Sequence, residues 1–138
     1  MSQHHQNVKR AFEITCALLG DGKVERVGAY YQVKSAALDV RVSVITRTIG
    51  TDTENPRMIA EIGPEHVSSA DLHALYTMNN SGQVVDALAC SPLDYYLLLL
   101  SHPHFKKKTQ RLQGRPRIDE LKMIPGFIDL TAEARAVA

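Results

Sequence analysis

Residues 38–48, LDVRVSVITRT, decide the fold class. Leu38, Val40, Val42 and Val44 fall on one parity and Asp39, Arg41, Ser43 and Arg47 on the other, with Ile45 as the interruption. A period of two is that of a strand with one buried face, so a strand is predicted over 38–48. Toward the amino terminus, KVERVGAYYQV (23–33) alternates less cleanly through Val24, Val27, Ala29, Tyr31 and Val33. Before it, AFEITCALL (11–19) puts Phe12, Ile14, Cys16 and Leu18 on one parity, and Gly20-Asp21-Gly22 between the two runs reads as a hairpin turn. Beyond Gly50, TDTENP (51–56) has the composition of a loop, and RMIAEIG (57–63) supplies a further strand. The amino-terminal half is thus predicted to be an antiparallel sheet of about four strands.

The period changes in the second half. In ADLHALYTM (70–78), Leu72, Leu75 and Tyr76 follow helical spacing, with Asp71 in the first turn, so a helix is predicted there, stopped by Asn79-Asn80-Ser81-Gly82. QVVDALAC (83–90) fits either a short helix or a strand. Ser91-Pro92-Leu93-Asp94 is a helix start: a capping serine, a proline at the first helical position and an acid at the third. The helix it opens runs through Leu97–Leu100 to His102-Pro103, and four successive leucines exceed one face, which predicts enclosure or a subunit interface. IDELKMI (118–124), a Pro125-Gly126 turn, FIDL (127–130) and a last helix opened by Thr131 complete the chain. Strands followed by helices give a single α+β domain over 1–138, with helices from the carboxy-terminal half on one face of the sheet and a flexible amino terminus over 1–8.

Charge is segregated. Residues 1–105 hold eight Lys/Arg against eleven Asp/Glu, residues 106–117 hold six against none, and residues 118–138 hold two against four. A mildly acidic body therefore carries one basic segment, KKKTQRLQGRPR, and such a patch indicates a polyanionic partner better than the net charge of +1 does. The tetrapeptide Gly114-Arg115-Pro116-Arg117 resembles the minor-groove arms of serine recombinases and, more loosely, the AT-hook core. Glycine and proline keep such a backbone narrow while the arginines enter a groove of strong negative potential. Position 113 is Gln where an AT-hook has Arg, and no helix-turn-helix pattern follows, so no family is assigned. A second basic surface is predicted where Arg26, Tyr30 and Gln32 share one parity and Arg41, Ser43 and Arg47 another, a sheet face able to stack bases and track phosphates.

These residues give a nucleic-acid-binding set of Lys106, Lys107, Lys108, Arg111, Arg115, Arg117, Arg41, Arg47 and Tyr30. No G-x-S-x-G, Walker or G-x-G-x-x-G motif is present, so no catalytic residue is assigned, no cofactor is expected, and the chain is read as non-enzymatic. His66, His73, Cys90, His102 and His104 do not fall at a metal-ligand spacing, and no metal is assigned to them. If Met1 is removed, Ser2-Gln3-His4 offers the nitrogen donors of a square-planar Cu(II) site. Cys90, just before a helix start, is a small buried hydrophobe before it is a nucleophile. With two cysteines on apolar segments, no signal-peptide pattern and no membrane-spanning run, a reducing, cytoplasmic location and no membrane partner are expected. The alternative function is an assembly module: a homo-oligomer joined through the Leu97–Leu100 helix, its basic segment meeting an acidic protein.

Overall fold

The computed structural model describes residues 2–28, 30–50, 60–62, 70–101, 106–108, 111–114 and 117–138, and only the backbone of 60–62, 98–101, 106–108 and 111–114. Among the described residues there are four helices: α1 (Gln3–Leu19), α2 (Pro92–Ser101), α3 (Ile118–Lys122) and α4 (Thr131–Val137). The strands are β1 (Lys23–Val27), β2 (Tyr30–Ser35), β3 (Val40–Ile49), β4 (Ala60–Ile62), β5 (Leu72–Asn79), β6 (Val84–Cys90), β7 (Lys106–Lys108), β8 (Arg111–Gly114) and β9 (Ile128–Asp129). They form a six-stranded sheet of order β1-β2-β3-β5-β6-β9 and a three-stranded one of order β4-β8-β7. None of these helices is long and apolar enough to cross a membrane.

The class is α+β, as the sequence implies, but the sheet is mixed and draws on both halves of the chain. β3 and β5 run parallel, from Val42 opposite Leu72 to Ile49 opposite Asn79, and the other pairings are antiparallel. The predicted first strand is instead the carboxy-terminal part of α1, and residues 3–8, expected to be flexible, are its opening turns. Two periods fit AFEITCALL; the helix prevails because Asn7, Ala11, Ile14 and Thr15 make a stripe that the sheet buries. Ser2 caps it, its Oγ accepting from the His5 N–H at 3.2 Å, and Gly20 ends it at φ 82°, a conformation that favours glycine. A Cβ on Gly22 would lie 2.7 Å from the Cys16 Cα, so the chain can turn this tightly from α1 into β1 only with glycine there. The predicted hairpin turn is thus a helix stop. The true hairpin turn falls inside KVERVGAYYQV, between β1 and β2.

The predicted helix over 70–78 is β5. Leu72, Ala74, Tyr76 and Met78 belong to the core beneath α1 and α4, while Leu75 belongs to the core beneath α2 and α3. A strand buried on both faces loses alternation and reads as a continuous apolar run. β6 is equally hard to read because Met78 pairs with Val84 and Thr77 with Asp86, leaving Val85 as a bulge that reverses parity. Arg135 on α4 donates to the carbonyls of Val84 at 3.0 Å and Val85 at 3.1 Å, holding the bulge and docking the last helix, whose Ala134 is fully buried. α2 starts where predicted: Ser91 Oγ accepts from the Asp94 N–H at 3.0 Å and donates to Asp94 Oδ2 at 2.9 Å. Helices cover both faces, correcting the one-face expectation: α1, through Ile14, and α4, through Ala134, over Val33, Tyr76, Met78 and Ala87, and α2, through Tyr95, and α3, through Leu121, over Leu75 and Leu88.

Candidate functional site

The basic segment begins as a hairpin. Lys106 stands opposite Gln113, Lys107 opposite Leu112 and Lys108 opposite Arg111. With a period of two, positions 106, 108, 111 and 113 fall on one side of this ribbon and 107 and 112 on the other. β4 adds a third strand, with Glu61 opposite Gln113 and Ile62 opposite Leu112, so position 61 joins the side of 106, 108, 111 and 113, and position 62 joins the side of 107 and 112. α2 runs against β8 and against β5 of the main sheet, which makes the leucine-rich helix the link between the two sheets. Arg115 lies outside the described residues. Arg117 caps α3 and is ion-paired to Glu120 at 2.8 Å and Asp119 at 3.4 Å.

The remaining predicted residues lie on the main sheet. Register puts Lys34 opposite Arg41 and Arg26 opposite Tyr31, so Tyr30, Gln32, Arg41, Ser43 and Arg47 do share a face, whereas Arg26 belongs to the other one. The β1–β2 turn breaks the simple count. Arg41 is ion-paired to Glu25 at 3.3 Å, and Arg47 and Tyr30 are half-buried. On the same face Lys122 of α3 is ion-paired to the buried Asp86 and lies 3.9 Å from Asp129. Arg41 and Arg47 are thus half-buried residues on the face of the main sheet that carries Leu75 and Leu88.

A pocket of about 530 Å³ opens beside β3. Lys9, Phe12, Val24, Tyr30, Tyr31, Gln32, Ser43, Val44, Ile45 and His73 line it. Gln32 and His73 are its least exposed members, at 2% and 1%, while Tyr31 is 56% exposed at the mouth. A broader polar groove of about 770 Å³ runs between α1 and α4, past Arg10, Glu13, Gln83 and Arg135. The sequence reading puts Gln32 and Ser43 on one sheet face; Phe12 and His73 were missed because 11–19 and 70–78 were assigned to the wrong elements, and Lys9 because α1 was not read as a helix.

The nucleophile and metal readings meet specific obstacles. Ser43, His73 and Cys90 are successive cross-strand neighbours, and the His73 and Tyr95 rings lie 5.1 Å apart. Burial, with the nearby Asp94 carboxylate adding to it, pushes the Cys90 thiol up to about 12, so it is a protonated core group. Cys16, on α1, is likewise raised by burial and packs on the opposite face of the sheet from Cys90; both thiols are free. Among the described residues no three His, Cys, Asp or Glu side chains converge as metal ligands. His4 Nδ1 hydrogen-bonds Thr48 Oγ1 at 2.9 Å and Ser2 caps α1, so wrapping Cu(II) in the first nitrogens would unwind the opening turn. No protein-family model matches the chain, and no curated protein matches it.

Proposed function

We propose that this chain is a non-enzymatic nucleic-acid-binding or accessory protein that holds its partner through the β7–β8 ribbon. The observation that supports it is the pairing of Lys108 with Arg111, like charge opposite like charge, with Lys106 two positions along the same side. Such pairs destabilise a hairpin when left alone. A phosphate chain lying along the ribbon turns that repulsion into attraction and releases its own counterions. A two-stranded ribbon also has a width that the major groove admits. Arg117, held by Glu120, contributes less than the lysines, and using it as half of a groove arm means breaking that exposed pair at a cost of up to about 1 kcal/mol. The test is fluorescence anisotropy with labelled duplex and single-stranded probes. Changing Lys106, Lys107 and Lys108 together to Gln is expected to abolish measurable binding in physiological salt, with heparin competing in the parent. Equal binding by parent and variant would end this reading.

One observation favours the alternative, an assembly module with a homo-oligomeric contact through α2 and an acidic protein partner. Leu93 and Leu97, one helical turn apart on α2, are 60% and 51% exposed. If they form a contact between copies, Leu97→Asp converts oligomer to monomer in sedimentation velocity while leaving the melting temperature in place.

A further inference from the structure

The β1–β2 hairpin diverges from the sheet partway along β3. β2 and β3 pair at Ser35–Val40, Lys34–Arg41 and Val33–Val42 and no further. Beyond that point β2 stays with β1 as far as Tyr30 opposite Val27, and β3 stays with β5 as far as Ile49 opposite Asn79. The 530 Å³ pocket occupies this divergence, and residues 30–32 of β2 and the next three residues of β3, 43–45, all line it. Two strands parting inside a sheet give up backbone hydrogen bonds, so the opening carries a cost that a bound molecule can offset.

We propose that this opening is a binding site for a planar heteroaromatic anion, specifically the base and phosphate of a nucleotide. Three features have to be matched at once. Phe12, Tyr30 and Tyr31 contribute aromatic side chains to the lining, the residue type on which bases stack. Gln32, Ser43 and His73 form a polar inner end, and the Gln32 amide both donates and accepts, as the edge of a base requires. Lys9, exposed on α1, is the one charged residue among the described lining residues, and no carboxylate there opposes an anion. A hydrocarbon has no group to complement Lys9, and a simple aromatic acid matches Lys9 and the rings only. The volume lies within the range of roughly 300–1,000 Å³ typical of small-molecule sites. This site does not depend on the ribbon, and its occupant is either a free nucleotide or a base unstacked from a single strand.

The test is a two-dimensional NMR titration of the full chain with AMP, GMP, CMP and UMP, with adenosine and benzoate as controls. At least one monophosphate is expected to shift resonances of β2, β3 and α1 at one site, with adenosine binding roughly fivefold more weakly than AMP. Tyr31→Ala, at an exposed position, is expected to weaken binding at least about fivefold, and Lys9→Glu to erase the advantage of AMP over adenosine. AMP shifts that persist in the Lys106, Lys107 and Lys108 to Gln variant support the site as independent of the ribbon. Shifts at the same residues with a tetranucleotide assign the occupant to a strand; shifts with mononucleotides alone assign it to the free ligand. Absence of shifts with every monophosphate at millimolar concentration, benzoate binding as tightly as the best nucleotide, or binding unchanged by Tyr31→Ala would overturn the proposal.

Discussion

The two sheets use the same backbone pairing for opposite materials. β5, LHALYTMN, carries no Lys, Arg, Asp or Glu and is buried along most of its length; β7 is three lysines in succession. In the main sheet the pairing serves burial, and several of its charges are ion-paired, Asp86 with Lys122, Arg41 with Glu25 and Lys34 with Asp39. In the small sheet Lys108 faces Arg111 across the ribbon. The difference teaches that ion-paired charge on the main sheet fits within its stability, whereas like charge placed opposite like charge on the ribbon opposes pairing, and the proposed function is what gives it a use.

That contrast can be broken by substitution. Leu88→Ala, beneath α2 and α3 at 1% exposure, is expected to cost about 2–5 kcal/mol in chemical denaturation, as cavities in close-packed cores do. Asp86→Ala, which leaves Lys122 without its buried partner, is expected to cost about 1–3 kcal/mol. The triple Lys106, Lys107 and Lys108 to Gln variant should stay within about 0.5 kcal/mol of the parent or gain slightly, since it removes self-repulsion. A loss as large as that of Asp86→Ala would mean that the ribbon, too, is built for stability.

The pH profile sharpens the same contrast. Cys90 ionises near 9 when unfolded and at about 12 when folded, so its contribution is intact below pH 9 and is lost as pH rises toward 12. Tyr95 and Tyr76, also raised by burial, add to the alkaline loss. Asp21, lowered by the Ser35 hydroxyl and the Ala37 amide, and Asp129, lowered by the Thr131 hydroxyl, act at the other end. Their contributions are present above about pH 4 and are lost as pH falls through their folded values. Urea titrations of the parent and Cys90→Ala from pH 7 to 11 should show a shallower alkaline decline in the variant; parallel declines would contradict the buried-thiol account.

How much of this was legible depended on how many faces each element buries. β3 was read nearly to its ends because its flank toward β2 keeps a clean apolar parity, and α2 because Ser91, Pro92 and Asp94 announce it locally. β5 defeated the pattern because both its faces are core, and β6 because the Val85 bulge reverses its parity. α1 was masked by a short apolar run that fits two periods, although Ser2 and Gly20 marked its ends. The density of charge at 106–117 is readable at a glance; that 106–108 pairs with 111–114 and that Arg117 is engaged by Glu120 are local facts that charge density hides, and that β2 and β3 part to open a pocket depends on contacts distant in sequence.

The central claim is best tested by the salt dependence of binding to a labelled duplex, parent against the Lys106, Lys107 and Lys108 to Gln variant and against Arg117→Gln. If the ribbon holds phosphate, the parent log–log slope lies between about −2 and −5, the triple variant flattens it by about 2 to 3, and Arg117→Gln, whose charge is already paired, changes it by less than about 1. Folded parent protein showing no salt-sensitive binding at low ionic strength, or a slope that the triple variant leaves unchanged, would contradict the account.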